Sequence, residues 1–250
     1  MKSTVIAGIT LILLIYLGFG LCLYVFQRSF LYHPTPAVTN DHYTTIAING
    51  LKIWQIRPNQ PQALIYFGGN AEDVEHNLND YEDMFPDHTL YFVNYRGFGG
   101  SPGKPSETML FEDALAIYDQ LPDHESIAVV GRSLGSGVAT YLAAQRNVDK
   151  LVLVTPYDSI TRVAQNMYPL YPVNLLLKDK FESIKYAAHI NSEVLIIIAA
   201  LDKVIPPSHA YRLAEAFPDG KVQIALIEGG DHNGIHNDSA YRERIMSFLR

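Results

Sequence analysis

Gly131-Arg132-Ser133-Leu134-Gly135 sets a serine between two glycines, and its context gives that spacing meaning. A short apolar run of strand type, Ser126-Ile127-Ala128-Val129-Val130, leads into it, and a stretch of helical character, Val138 to Ala144, follows. Between a strand and a helix, G-x-S-x-G marks a nucleophile elbow: the serine stands at the tip of a strained turn, and the glycines leave room for the turn to close. A hydroxyl is a poor nucleophile near neutral pH, so it needs a base beside it, and the base needs an acid to orient it. Asp202, in Ala200-Leu201-Asp202-Lys203-Val204-Ile205-Pro206, and His232, in Glu228-Gly229-Gly230-Asp231-His232-Asn233, each follow a run of strand type. They supply the acid and the base in the chain order serine, acid, histidine. Asp158 is the rival acid and His236 the rival base; the glycines before His232 let its loop turn the imidazole inward.

Acyl transfer at a serine also needs two backbone amides to hold the oxyanion. Leu134, directly after the serine, supplies one. The second is expected from Gly68-Gly69-Asn70-Ala71, where Gly69 allows close approach and the amide of Asn70 or Ala71 faces the substrate. Asn70 also reads as a helix N-cap, which is compatible with that role. Asp231, His232, His236 and Asp238 do not form a metal motif, because Gly234 interrupts the helix that ligands at i, i+4 share and no thiolate assists. No metal and no cofactor is called for. The other histidines (His33, His42, His76, His88, His124, His189 and His209) read as surface residues.

These residues must be held by a scaffold. Tyr43 to Ile48 and Leu51 to Arg57 are strand-like and joined by Asn49-Gly50, a hairpin signal. Strands and helices then alternate: strands over Ala63–Phe67, Thr89–Asn94, Leu151–Thr155, Val194–Ala199 and Val222–Ile227, with helices over Ala71–Phe85, Ser106–Leu121, Ser208–Phe217 and Asp238–Leu249. Unbroken apolar runs such as Val194-Leu195-Ile196-Ile197-Ile198 suit strands covered on both faces. The pattern predicts an α/β fold, a mixed, mostly parallel sheet with helices on both sides. Residues 156–191 interrupt the alternation with an apolar, aromatic, proline-broken stretch, read as a helical insertion on the core or a small lid over the serine.

A chain of 250 residues accommodates one domain with a full core. Its formal charge of −7 argues against a nucleic-acid partner, since phosphate binding needs clustered Lys and Arg. The single cysteine, Cys22, excludes an internal disulfide. From Thr4 to Phe26 no residue is charged, and as a helix this run extends roughly 34 Å, enough for a bilayer core of about 30 Å. It reads as a retained single-pass anchor (residues 1–26), followed by a linker (27–41) and the folded domain (42–250). A cleaved signal peptide is the main competing reading. Lipid modification of Cys22 is disfavoured by Leu21 before it, and a buried core helix by the lack of a polar face. Lys2 on one flank and Arg28 on the other lean only weakly toward a cytoplasmic N-terminus and an exported domain.

Ser133, Asp202 and His232, together with Gly68-Gly69-Asn70-Ala71, Asn94-Tyr95-Arg96-Gly97-Phe98-Gly99-Gly100-Ser101 and the Asp202–Pro206 segment, resemble the α/β-hydrolase superfamily. Within it, the chain looks like the membrane-anchored α/β-hydrolase-domain proteins, which pair an N-terminal apolar segment with a G-N-A turn and G-R-S-x-G. The resemblance implies the α/β-hydrolase fold. It also implies serine hydrolysis of esters or thioesters, on small acyl substrates or acylated proteins; the superfamily also includes lipases and peptidases. A serine peptidase acting on small peptides is the alternative, and a non-catalytic scaffold a third reading that the complete triad disfavours. Gly68 departs from the pattern: a histidine that supports the oxyanion loop often stands there.

Overall fold

The computed structural model describes residues 2–250. A long first helix, α1 (Lys2–Leu31), precedes an eight-stranded sheet of order β1-β2-β4-β3-β5-β6-β7-β8. Its strands are β1 (Thr44–Ile48), β2 (Leu51–Ile56), β3 (Gln62–Phe67), β4 (His88–Val93), β5 (Ser126–Arg132), β6 (Lys150–Val154), β7 (Glu193–Ala199) and β8 (Val222–Ile227). β1 and β2 form the antiparallel hairpin, with Ile48 opposite Leu51 and both turn residues at positive φ (Asn49 50°, Gly50 77°). That conformation matches the strand twist, which is why Asn-Gly serves here. β2 pairs antiparallel with β4, and the pairs from β4 through β8 are parallel.

The parallel strands alternate their side chains between two buried layers. Ile65, Phe67, Leu151, Leu153, Ile196 and Ile198 face one layer, and Leu64, Tyr66, Val152, Val154, Leu195 and Ile197 the other. The first layer is closed by α3 (Glu107–Gln120), α4 (Leu134–Gln145), α7 (Ser183–Ala187) and α8 (Pro207–Ala214). The second is closed by α2 (Leu78–Met84) and α9 (Ser239–Leu249). A strand covered on both faces has no position for a polar residue, so the runs are continuous. Each fully buried Leu, Ile or Val contributes about 1.5–3 kcal/mol.

Two elements differ from the sequence expectation. The helix expected over Ala71–Phe85 is a 3-10 turn, Val74–Asn77, followed by the short α2. Asp73, not Asn70, caps that turn by accepting from the Glu75 amide. The first helix continues five residues past the apolar run to Leu31, and packs along the insertion, which holds α5 (Ile160–Met167), α6 (Val173–Leu176) and α7. Tyr16 stacks on Tyr171 with ring centres 4.5 Å apart, Gln27 donates to the Leu176 carbonyl and accepts from the Lys178 amide, and Arg28 pairs with Asp179 at 2.8 Å. This helix is long and apolar enough to cross a membrane, and none of its described residues is buried.

Candidate active site

The elbow is built by exclusion. Ser133 has φ 48° and ψ −113°, a strained conformation for a residue with a side chain. It is held by its amide, which donates to the Val154 carbonyl, and by its own carbonyl, which accepts from the Ser136 amide. A Cβ at Gly135 would stand 2.1 Å from the Phe67 carbonyl oxygen, and one at Gly131 would stand 2.5 Å from the Gly135 oxygen. Gly131 thus lets α4 fold back over β5, and Gly135 lets the loop after β3 cross the start of α4.

At this turn Ser133 Oγ lies 2.9 Å from His232 Nε2, and His232 Nδ1 lies 2.7 Å from Asp202 Oδ2. The other Asp202 oxygen accepts the Val204 and Ile205 amides, both at 2.8 Å. A carboxylate so engaged accepts a hydrogen bond from Nδ1–H, which fixes the tautomer that leaves Nε2 free to accept from the serine. Asp202 and His232 are buried, and Ser133 opens on a cleft of about 760 Å³. His236, the rival base, lines the same cleft, but His232 makes the hydrogen bond to the serine. The rival acid Asp158 pairs with a different histidine, His209, at 2.6 Å.

Leu134 is the first residue of α4, so no carbonyl one turn earlier takes its N–H. Gly69 approaches the serine closely: a Cβ there would lie 3.5 Å from Ser133 Cβ. Its amide, however, donates to Glu72 Oε2, so Gly69 provides space and not a donor. Asn70 and Ala71 line the cleft beside it, Ala71 at φ 58°. The Asn70 side chain bonds neither Ser133 nor the helix start. It donates to the Leu31 carbonyl at 2.7 Å and accepts the His33 amide at 2.9 Å, tying this loop to the end of α1.

Where a histidine is absent at Gly68, other groups stiffen the loop. The buried Tyr95 hydroxyl donates to the Gly68 carbonyl at 2.8 Å. Glu72 accepts from Tyr66, Asn77 and the Gly69 amide, and pairs with Arg132 at 3.1 Å. Burial holds both tyrosine hydroxyls well above their ordinary range, so they stay protonated donors. Arg132 also donates to the carbonyls of His232 and Asn233. Burial opposes its charge, but Glu72, together with the neighbouring Tyr66 and Tyr241, outweighs that and raises the guanidinium further. One ion pair therefore joins the serine turn, the Gly-Gly loop and the histidine loop. The sequence motifs assign no role to Arg132 or Glu72; their only local signals are a charge beside the serine and a glutamate two residues after Asn70.

His209 and His88 correct the expectation of surface histidines: both are buried, His209 completely. His209 sits on the inner face of α8, where its two nitrogens meet Asp158 and Asn166. An imidazole with both nitrogens partnered carries little burial penalty, and the sequence does not show those partners.

A family model described as alpha/beta hydrolase fold matches residues 63–182. A Mycobacterium tuberculosis protein, named only as uncharacterized, is 38% identical over 150 residues, covering 58% of this chain and 53% of that protein. The Caenorhabditis elegans alpha/beta hydrolase domain-containing protein aho-3 is 30% identical over 200 residues, covering 77% of this chain and 58% of that protein. The chain thus spans about half the length of the curated relatives it matches. Among solved structures, an esterase from Pyrococcus furiosus superposes with TM-score 0.70 at 17% identity, over 87% of this chain and 96% of that one. The mouse alpha/beta hydrolase domain-containing protein 10 gives TM-score 0.64 at 15% identity, over 83% and 96%. At such identities the structures speak for the fold. Fold, family match and relatives together place the chain in the α/β-hydrolase superfamily, to which it belongs.

Proposed function

We propose that this chain is a membrane-attached serine hydrolase that cleaves carboxylic esters or thioesters of lipid-like or acylated substrates through an acyl-enzyme. The carrying observation is the row Ser133 Oγ, His232 Nε2, His232 Nδ1, Asp202 Oδ2, with gaps of 2.9 and 2.7 Å. In this reading His232 takes the serine proton as Oγ attacks the acyl carbonyl. The amides of Leu134 and of Asn70 or Ala71 hold the oxyanion. The intermediate collapses, His232 gives its proton to the departing alkoxide or thiolate, and the acyl group stays on Ser133. Water then attacks the acyl-serine, passing a proton to His232 that returns to Oγ. Asp202 holds the tautomer and stabilises the imidazolium.

Support for an apolar acyl group comes from the cleft wall, where Phe30, Leu31, Ile160, Val163 and Met167 line the cleft that holds the serine. Support for a bilayer location comes from α1, whose apolar side chains are exposed along its length. The test is covalent labelling of the full-length protein by a fluorophosphonate: wild type labels, and Ser133→Ala falls to background. Labelling that persists in Ser133→Ala overturns the assignment of the nucleophile. Turnover of p-nitrophenyl acyl esters beside aminoacyl p-nitroanilides separates this reading from a peptidase.

A further inference from the structure

The apolar end of the catalytic cleft does not stop at the domain surface. A second cavity of about 190 Å³ lies between α1 and the insertion, walled by Leu23 and Leu31 on the helix and by Ala164, Tyr168 and Leu176 opposite. Phe30, Leu31, Ile160, Val163 and Met167 line both this cavity and the Ser133 cleft, so the two are neighbours across a shared apolar wall. Gln27 is its one amide-bearing lining residue, and its side chain is spent on Tyr24, Leu176 and Lys178 backbone. Apart from the tyrosines Tyr24, Tyr168 and Tyr171, the remaining lining is apolar, so the cavity offers a largely apolar contact surface, which suits a hydrocarbon chain.

The position of the cavity on α1 gives the direction of entry. α1 is not a loose tether: Tyr171 covers Gly20, where a Cβ would meet its ring at 2.8 Å, and donates to the Tyr16 carbonyl. The uncharged run of α1 ends at Phe26, and from Tyr16 onward it lies against the insertion, so half of the segment suited to a bilayer core is a segment the insertion covers. A helix crossing that core carries the tip of the insertion into the apolar layer with it. Met167, Leu170 and Leu175 on that tip are 66%, 79% and 82% exposed, a poor arrangement for water and a fitting one for lipid.

We propose that the cavity between α1 and the insertion is the acyl-chain site, entered sideways from the bilayer, with α1 as one wall. This rests on the serine-hydrolase reading above and specifies its substrate: a long-chain acyl ester or thioester whose chain stays in an apolar medium while its carbonyl reaches Ser133. Asn70, gripping the end of α1 from the oxyanion loop, couples the filled wall to the loop that holds the reacting carbonyl.

The test compares p-nitrophenyl palmitate with p-nitrophenyl butyrate, using the full-length chain in detergent micelles. Ala164→Trp and Leu23→Trp fill the cavity from its two sides. The palmitate-to-butyrate ratio of kcat/KM is expected to fall threefold or more in each variant; a smaller change in fluorophosphonate-labelled, active variants overturns the acyl site and leaves the hydrolase reading standing. A wild-type chain that neither labels nor turns over either ester overturns both. Should tryptophan prevent folding, the wild-type chain is labelled with a hexadecyl fluorophosphonate bearing a terminal diazirine. Photocrosslinks to residues 20–31 or 160–177 support the site, and crosslinks confined to other segments overturn it.

Discussion

Two aspartate–histidine pairs stand side by side in this molecule, and they are the same chemical object in different company. Asp202 and His232 meet at 2.7 Å, Asp158 and His209 at 2.6 Å; all four side chains are buried, and the two aspartates follow the adjacent strands β7 and β6. Beyond the imidazole the pairs part. His232 Nε2 meets the hydroxyl of Ser133 at the mouth of a cleft, whereas His209 Nε2 accepts from the side-chain amide of Asn166, an exposed residue of α5 that closes over it. The carboxylates differ as well. Asp202 is met by two backbone amides, which orient it but carry no full charge. Asp158 is met by Arg162 and Arg212, each at 2.9 Å. Its negative charge is already matched, so little of it remains to stabilise an imidazolium. A buried Asp–His pair is thus a general structural device, and its surroundings assign the work.

The sharpest division of the pairs is Asp202→Asn against Asp158→Asn. The first is expected to lower kcat for ester turnover by about 10⁴-fold, because the tautomer is lost; the second is expected to lower it less than about tenfold. Equal losses, measured side by side on the same ester, break the comparison.

The second pair should instead be visible in stability. Burial alone would raise the Asp158 carboxyl, but His209, Arg212 and the Ser159 amide outweigh it and hold it below the ordinary range. A carboxyl lower in the folded state than in the unfolded one stabilises above its unfolded value, and that contribution is lost as pH falls through the folded value. Asp158→Asn is therefore expected to cost about 2 kcal/mol in denaturant unfolding near pH 7. The gap to wild type should close as pH drops below about 3.9. A gap that is constant or widens with acid contradicts the charge assignment.

Asn166→Ala gives the smallest effect. It removes one neutral hydrogen bond from His209 Nε2 and should cost about 1 kcal/mol with ester turnover unchanged. A large loss of activity there would tie the second pair to the chemistry after all.

The scaffold was legible where local physics is decisive. Asn49-Gly50 can make few turns other than a tight hairpin, and Val194–Ile198 has no polar position to offer solvent, so the hairpin and the doubly covered strands follow from residue type. The serine was legible because Gly131 and Gly135 are steric requirements of the turn. Side-chain partners across long separations were not legible. Asn70 has the composition of a cap, yet it bonds backbone 37 and 39 residues earlier. His209 has the polarity of a surface residue, yet its partner lies 51 residues away. The same holds for Arg132, which reaches carbonyls 100 and 101 residues on.

What the sequence determined by itself is the set of backbone states: the alternation of strands and helices, the strained turn at Ser133, and an N-terminal helix too apolar to carry a polar face. These depend on residues close along the chain, through sterics and hydrophobic period. The tertiary structure decided which groups meet: that His232 rather than His236 bonds the serine, that Asp158 is locked by arginines, and that the end of α1 is held by the loop beside Ser133. Hydrogen bonds and ion pairs have a reach of a few ångströms and no sequence period, so only the packed sheet and its helices could settle them.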